Sequence, residues 1–337
     1  MTADHEIFEL GTITLQSGEV LPDAKLAYRT WGRLNANRDN VVVLPTFFTG
    51  THIRNQAYFG PGRAIDPARH FIVVPNTFGN GVSSSPSNTP PPFDGPRFPT
   101  VTHYDNVECQ YRLLRERFGV ERVALVAGWS MGGSQSYHWA ARYPDQVGAI
   151  VPFCASARIS VHNRVFLAGV RAALEADADF RGGDYDRPPE RGLRAFGRVY
   201  CGWAYSQTWF REGLYRELGF ADAEALLVDW ERDHLAWDAN DLLCKLRTWE
   251  LCDIGAHPRY GGSFEGALGA IGARAILIPC TTDLYFTPQD NAIEAQHMPN
   301  AEFRPFDSCW GHVVASGDRI PEFHRFLDTA LADALRG

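Results

Sequence analysis

The sequence predicts an α/β fold, a mostly parallel sheet flanked by helices and interrupted by an inserted helical lid. Short apolar runs recur at 25–30, 40–44, 70–75, 123–127, 149–153 and 273–279, with helical stretches between several of them; this alternation is what a parallel sheet wrapped by helices requires. Between 161 and 262 helical periodicity takes over and no convincing strand remains. Strand-like runs then resume. These observations divide the chain into a core domain, 1–160 with 263–337, and a helical lid domain, 161–262.

The elements follow in order. Runs 13–15, 25–30 and 40–44 are separated only by short polar turns, so the sheet is expected to begin as an antiparallel meander. Residues 76–104 are crowded with Gly, Ser and Pro, including Ser83-Ser84-Ser85-Pro86 and Pro90-Pro91-Pro92. That segment is too long and stiff for an ordinary connector; it reads either as an ordered loop packed beside the site or as a surface linker. Run 123–127 is a buried parallel strand, and 134–142, free of Gly and Pro, is a helix that stops at Tyr143-Pro144. In the insertion the periodicity marks helices at 163–176, 221–237 and 240–252. Trp203, Trp209, Trp230, Trp237 and Trp249 fall there, either walling an apolar funnel or packing between helices. Strands at 273–279 and 301–306 and an amphipathic helix from Pro321 to Leu335 complete the chain. No internal repeat of fixed period is present.

Composition narrows the function. With 337 residues the core needs no staples. The net charge of −8 is dispersed and no basic cluster exists to neutralise phosphates, so neither nucleic acid nor an anionic membrane is expected as a partner. The start lacks a positive and apolar leader, and a cytoplasmic location is expected. Seven cysteines without a Cys-x-x-Cys pair point to buried thiols rather than disulfides or zinc, and no metal or cofactor is expected.

The chemistry is carried by 123–133, Val-Ala-Leu-Val-Ala-Gly-Trp-Ser-Met-Gly-Gly, in which Ser130 centres a Gly-x-Ser-x-Gly pentapeptide between strand and helix. Such a turn lifts the serine hydroxyl above the sheet. A serine needs a base, and the base needs a carboxylate to orient it. Asp283 stands just beyond the run 273–279, where the functional loops of a parallel sheet gather. His312 follows the strand expected at 301–306. The order Ser130, Asp283, His312 is the one used by α/β-hydrolases. His138 lies inside the helix after the turn, while His5, His257 and His324 read as surface positions. Two backbone N–H groups must meet the oxyanion. Met131 supplies one, directly after the nucleophile. The loop after 41–44 supplies the other, at Phe48, which otherwise reads as an apolar filler.

Further stretches carry a family likeness: Phe48-Thr49-Gly50-Thr51-His52, Asn76-Thr77-Phe78-Gly79, Phe98-Pro99-Thr100-Val101-Thr102, Gly128-Trp129-Ser130-Met131-Gly132-Gly133, Asn163, Gly182-Gly183-Asp184-Tyr185, and Asp283-Leu284-Tyr285-Phe286 with Pro288. Over nearly its whole length the chain resembles the homoserine O-acetyltransferase-like branch of the α/β-hydrolases. The resemblance implies the α/β-hydrolase fold, the triad above, an oxyanion hole at Phe48 and Met131, and a homodimer with a helical lid. It also implies a role in acceptor binding for Arg198 and Tyr205, which keep the transferases' seven-residue spacing, although an arginine-rich solvated helix face would look the same. Two departures matter. His312 is followed by Val313-Val314 where the transferases place an aspartate for the acceptor's ammonium group, and Trp129 stands where they commonly have glycine, making the mouth narrower or more apolar. The expectation is therefore a short-chain, acetyl-preferring ester hydrolase acting on a small-molecule ester. The alternatives are an O-acetyltransferase using acetyl-CoA, with a lid acid such as Asp233 replacing the absent carboxylate, and a non-catalytic binding protein on the same fold.

Overall fold

A computed structural model describes residues 4–317 and 319–336. Strands β1 (Glu6–Thr14) and β2 (Val20–Trp31) form an antiparallel hairpin. β3 (Val41–Val43) and β4 (Phe71–Pro75) precede α1 (His103–Arg112), β5 (Val123–Trp129), α2 (Met131–Arg142) and β6 (Val147–Phe153). Six helices follow: α3 (Val161–Glu175), α4 (Glu190–Ala204), α5 (Gln207–Glu212), α6 (Ala223–Leu235), α7 (Ala239–Glu250) and α8 (Phe264–Gly269). Then come β7 (Arg274–Leu277), α9 (Pro288–His297), β8 (Ala301–Phe303) and α10 (Pro321–Leu335). The sheet order is β1-β2-β4-β3-β5-β6-β7-β8, parallel from β4 to β8.

The expected meander holds only for the first hairpin. β2 pairs antiparallel with β4, not with β3, which lies between β4 and β5. β3 is three valines, all buried, which suits an inner strand covered on both faces. β5 shows how the layers are divided. Leu125, Ala127 and Trp129 pack with α10 on one face, while Val126 packs toward α1 and α2 on the other.

Segment 76–104 is an ordered loop, not a linker. The Ser83 hydroxyl accepts from Ala27 N and donates to Asn76 O, and the Ser84 hydroxyl accepts from Lys25 N, so its polar side chains complete the edge of β2.

The insertion contains α4 and α5 besides the three helices that periodicity marks, and α8 follows directly after it. α4 is masked in the sequence by its glycines, which weaken intrinsic helix propensity. Two of the three serve packing instead: a Cβ at Gly192 would lie 2.5 Å from Leu174 O of α3, and one at Gly197 2.7 Å from Trp230 O of α6, while Gly202 faces open space. Ser160, Ser206, Asp222, Asp238 and Ser263 accept N-cap hydrogen bonds at α3, α5, α6, α7 and α8, fixing where each helix starts. The insertion's hydrophobic cluster also includes Phe48, Met131, Tyr285 and Phe286, so it is seated directly on the carboxyl ends of the strands. No described helix is long and apolar enough to cross a membrane.

Candidate active site

Ser130 sits between β5 and α2 with φ 57° and ψ −129°, a backbone conformation an L-residue adopts only under constraint. Close approach on both sides imposes it. A Cβ on Gly128 would meet the Gly132 carbonyl carbon at 2.5 Å, and one on Gly132 would meet Pro45 O at 2.4 Å. Ser130 N donates to Phe153 O at 3.1 Å, tying the turn to β6.

Asp283 follows β7, and its side chain is completely buried. One carboxylate oxygen accepts from Tyr285 N (2.8 Å) and Phe286 N (3.2 Å), and the other lies 2.8 Å from His312 Nδ1. Three hydrogen bonds therefore hold the acid and orient the ring, leaving Nε2 for the cavity. The ring lies against Trp129 (centroids 5.1 Å, 27°) and edge-on to Tyr285 (4.7 Å). Gly311, at φ 65°, makes the turn that presents it. Beside Asp283, burial pushes the Cys154 thiol well up and keeps it protonated.

The loop after β3 is pinned through its carbonyls. Asn55 Nδ2 donates to Leu44 O (2.8 Å) and Pro45 O (3.2 Å), and Gln135 Nε2 donates to Thr46 O (3.0 Å). Neither Phe48 N–H nor Met131 N–H finds an acceptor among the described residues, and both residues are buried. Sequence reasoning missed Asn55 and Gln135. Their amides grip main-chain atoms, and no spacing in the sequence signals that.

Ser130, His312, Phe48 and Trp129 line one cavity of about 380 Å³. Trp230 and Trp237 from the insertion join its wall, whereas Trp209 and Trp249 are fully buried between helices. The cavity also touches Arg54, Arg319, Asp229 and Asp233, two charges of each sign. Val313, the residue after His312, is on the wall.

The remaining candidates separate. Tyr205 lines the cavity, stacked on Trp209 at 3.9 Å. Arg198 does not: its guanidinium is tied to Glu224 and Glu231 on α6, which raise its pKa further, so the seven-residue spacing places only the tyrosine at the cavity. His257, expected at the surface, is buried, its Nε2 3.1 Å from His138 Nδ1. Its neighbours in sequence give no hydrophobic pattern that would have shown this. Among the described residues, Asp4, His5 and His52 are the one His/Cys/Asp/Glu grouping whose ligand atoms lie within 4.8 Å of one another, and none of them lines the cavity.

Residues 39–200 match the family model of the alpha/beta hydrolase fold. The chain is 36% identical over 334 residues to an ethyl acetate hydrolase of Pseudomonas veronii, covering 98% of this chain and 95% of the relative. The chain belongs to the α/β-hydrolase superfamily. Within it, the relatives place this α/β-hydrolase in the homoserine O-acetyltransferase-like group. A homoserine O-acetyltransferase of Chlorobaculum parvum is 33% identical over 314 residues, covering 88% of this chain and 86% of that one. The solved acetyl esterase MekB superposes with a TM-score of 0.95 at 36% identity, covering 99% of this chain and 97% of that one. The protein is thus an enzyme of the esterase/hydrolase kind within the α/β-hydrolases.

Proposed function

We propose that the protein hydrolyses short-chain acyl esters, acetyl esters first, through an acyl-enzyme on Ser130. The observation that carries this is the His312 Nδ1 to Asp283 contact of 2.8 Å on the wall of the cavity that Ser130 lines, with two backbone N–H groups beside it unused. Ser130 Oγ attacks the ester carbonyl while His312 Nε2 takes its proton. Asp283 stabilises the imidazolium, and the Phe48 and Met131 amides hold the oxyanion. Collapse of the adduct breaks the ester C–O bond, and the alcohol leaves with the proton from His312. Water then adds to the acyl-enzyme with His312 again as base, releasing the acid and restoring Ser130. Phe48, stacked near Tyr200 at 5.4 Å, and Tyr285 narrow the wall, which supports a small acyl group. The names of the relatives, an ethyl acetate hydrolase and an acetyl esterase, support acetyl.

Transfer to an alcohol is the second reading, favoured by one observation: Asp233 and Tyr205 both line the cavity, where a carboxylate could meet an ammonium-bearing acceptor. Val313 beside His312 and the engagement of Arg198 elsewhere favour water. Purified protein and its Ser130→Ala variant, assayed in parallel for p-nitrophenyl acetate hydrolysis and for acetyl transfer from acetyl-CoA to homoserine, decide the matter. Faster transfer than hydrolysis overturns the esterase reading.

A further inference from the structure

Of the 32 lysines and arginines only Lys25 and Lys245 are lysines, and Lys245, on α7, is 1% exposed. No carboxylate lies within ion-pair distance of it among the described residues. An unpaired buried ammonium is costly, and a methionine of similar shape would pack there without that cost. The charge therefore calls for a role. Lys245 Nζ donates to Phe47 O at 2.7 Å and to Thr77 Oγ1 at 2.6 Å; Thr77 N in turn donates to Thr46 Oγ1 at 3.0 Å, and Gly50 N donates to Phe47 O at 3.1 Å.

Phe47 O belongs to the same peptide unit as Phe48 N–H. In a planar trans peptide the two point in opposite directions, so a donor fixed on the carbonyl aims the amide the other way. We propose that Lys245 is a positioning residue for the oxyanion hole: its ammonium holds and polarises the Phe47–Phe48 peptide so that Phe48 N–H is directed at the oxyanion of the Ser130 adduct. This rests on the esterase reading of Ser130. A donor polarised through its own peptide is a stronger donor, because hydrogen bonds in a chain reinforce one another. A flipped peptide would strand the buried ammonium and turn a carbonyl oxygen toward developing negative charge.

The groups facing Lys245 are few. Asp241, one turn earlier on α7, is committed to Ser87 N (3.0 Å) and Ser87 Oγ (2.6 Å). Cys244 beside it is kept protonated by burial. His103 on α1 is held neutral, its pKa pushed down to about 3 chiefly by burial. Burial also brings Lys245 down to about 7. Deprotonation there leaves a neutral amine, which keeps N–H groups to donate.

The test compares wild type, Lys245→Met and Lys245→Gln in p-nitrophenyl acetate hydrolysis and in binding of a trifluoromethyl ketone, which forms a tetrahedral oxyanion on the serine. For Lys245→Met the expectation is a ~10–100-fold loss of kcat with KM within about threefold, and an equal loss of ketone affinity. Lys245→Gln, with a neutral donor, recovers part of it. Thermal melting of Lys245→Met should not fall, since an unpaired charge has been removed. A merely structural role would instead lower the melting temperature and leave ketone affinity in line with KM. Wild-type kcat in folded Lys245→Met, with Ser130→Ala inactive, overturns the proposal alone; activity in Ser130→Ala overturns the esterase reading beneath it. Wild-type protein gives a test independent of variant folding. With 13Cε-lysine and 15N-phenylalanine labels, the Lys245 signal is read against that of exposed Lys25, and the Phe48 amide shift should titrate with the Lys245 midpoint. A Phe48 shift that stays flat across that titration refutes the proposal.

Discussion

Gly132→Ala tests whether the serine turn and the oxyanion loop are built against each other. A Cβ at this position would lie 2.4 Å from Pro45 O and 3.7 Å from Thr46 O. Ordinary contact begins near 3.4 Å, so the loop has to retreat by roughly 1 Å, a displacement large enough to spoil a reacting geometry. It cannot do so freely, because Asn55 grips Leu44 O and Pro45 O and Gln135 grips Thr46 O. Phe48 N–H travels with the loop and loses its aim. Removing one oxyanion donor costs ~10²–10³ in kcat, about 2.7–4 kcal/mol. KM should move little, because the donor serves the tetrahedral state more than the bound ester. Overpacking should also cost about 1–3 kcal/mol of stability. Gly169→Ala in α3 is the control: nothing lies within 4 Å of a Cβ there, so activity should hold and stability should rise by ~0.5–1 kcal/mol. The assay is p-nitrophenyl acetate hydrolysis on protein whose melting curve shows a folded state. Folded Gly132→Ala with kcat within about threefold of wild type would refute the coupling.

Three further outcomes are expected. Asp283→Asn leaves the packing but offers an amide N–H where His312 Nδ1–H needs an acceptor; kcat should fall by up to ~10⁴-fold with KM little changed, and a loss under tenfold would contradict the assigned role. Burial lowers the pKa of His257 to about 4, so the unfolded chain takes up a proton below pH 6.5 that the folded chain refuses until about pH 4. Stability should therefore fall across that window as pH drops, and urea titrations should show wild type losing ~1.4 kcal/mol per pH unit more than His257→Gln, with parallel slopes counting against it. Val313→Asp places a carboxylate next to His312 on the cavity wall; product analysis with homoserine present should show a larger share of acetyl transfer than in wild type, and an unchanged share would mean that Val313 does not decide the acceptor.

How much could be read in advance depended on how local each signal was. Ser130 with Gly128 and Gly132 is legible because one pentapeptide encodes the whole turn. Asp283 and His312 are legible because each follows a strand end in the chain order of the fold. Pro321–Leu335 is amphipathic from end to end and matches α10. The placement of β3 between β4 and β5 is not local, since three valines do not say which strands flank them. α4 is hidden because Gly192 and Gly197 answer neighbouring helices rather than its own propensity. Gln135 and Lys245 act on backbone carbonyls distant in sequence, and Asn55 on carbonyls across a loop, so no motif marks them. Arg198 shows the opposite failure: the spacing to Tyr205 is present, yet Glu224 and Glu231 satisfy its charge away from the cavity.

The acyl-enzyme itself offers the most direct measurement. Protein mixed with p-nitrophenyl acetate, quenched in acid within the burst and mapped by peptide mass spectrometry should carry one acetyl group on Ser130, and Ser130→Ala should carry none and release no nitrophenol above background. An acetyl group on another residue, or hydrolysis by Ser130→Ala at the wild-type rate, would contradict the account.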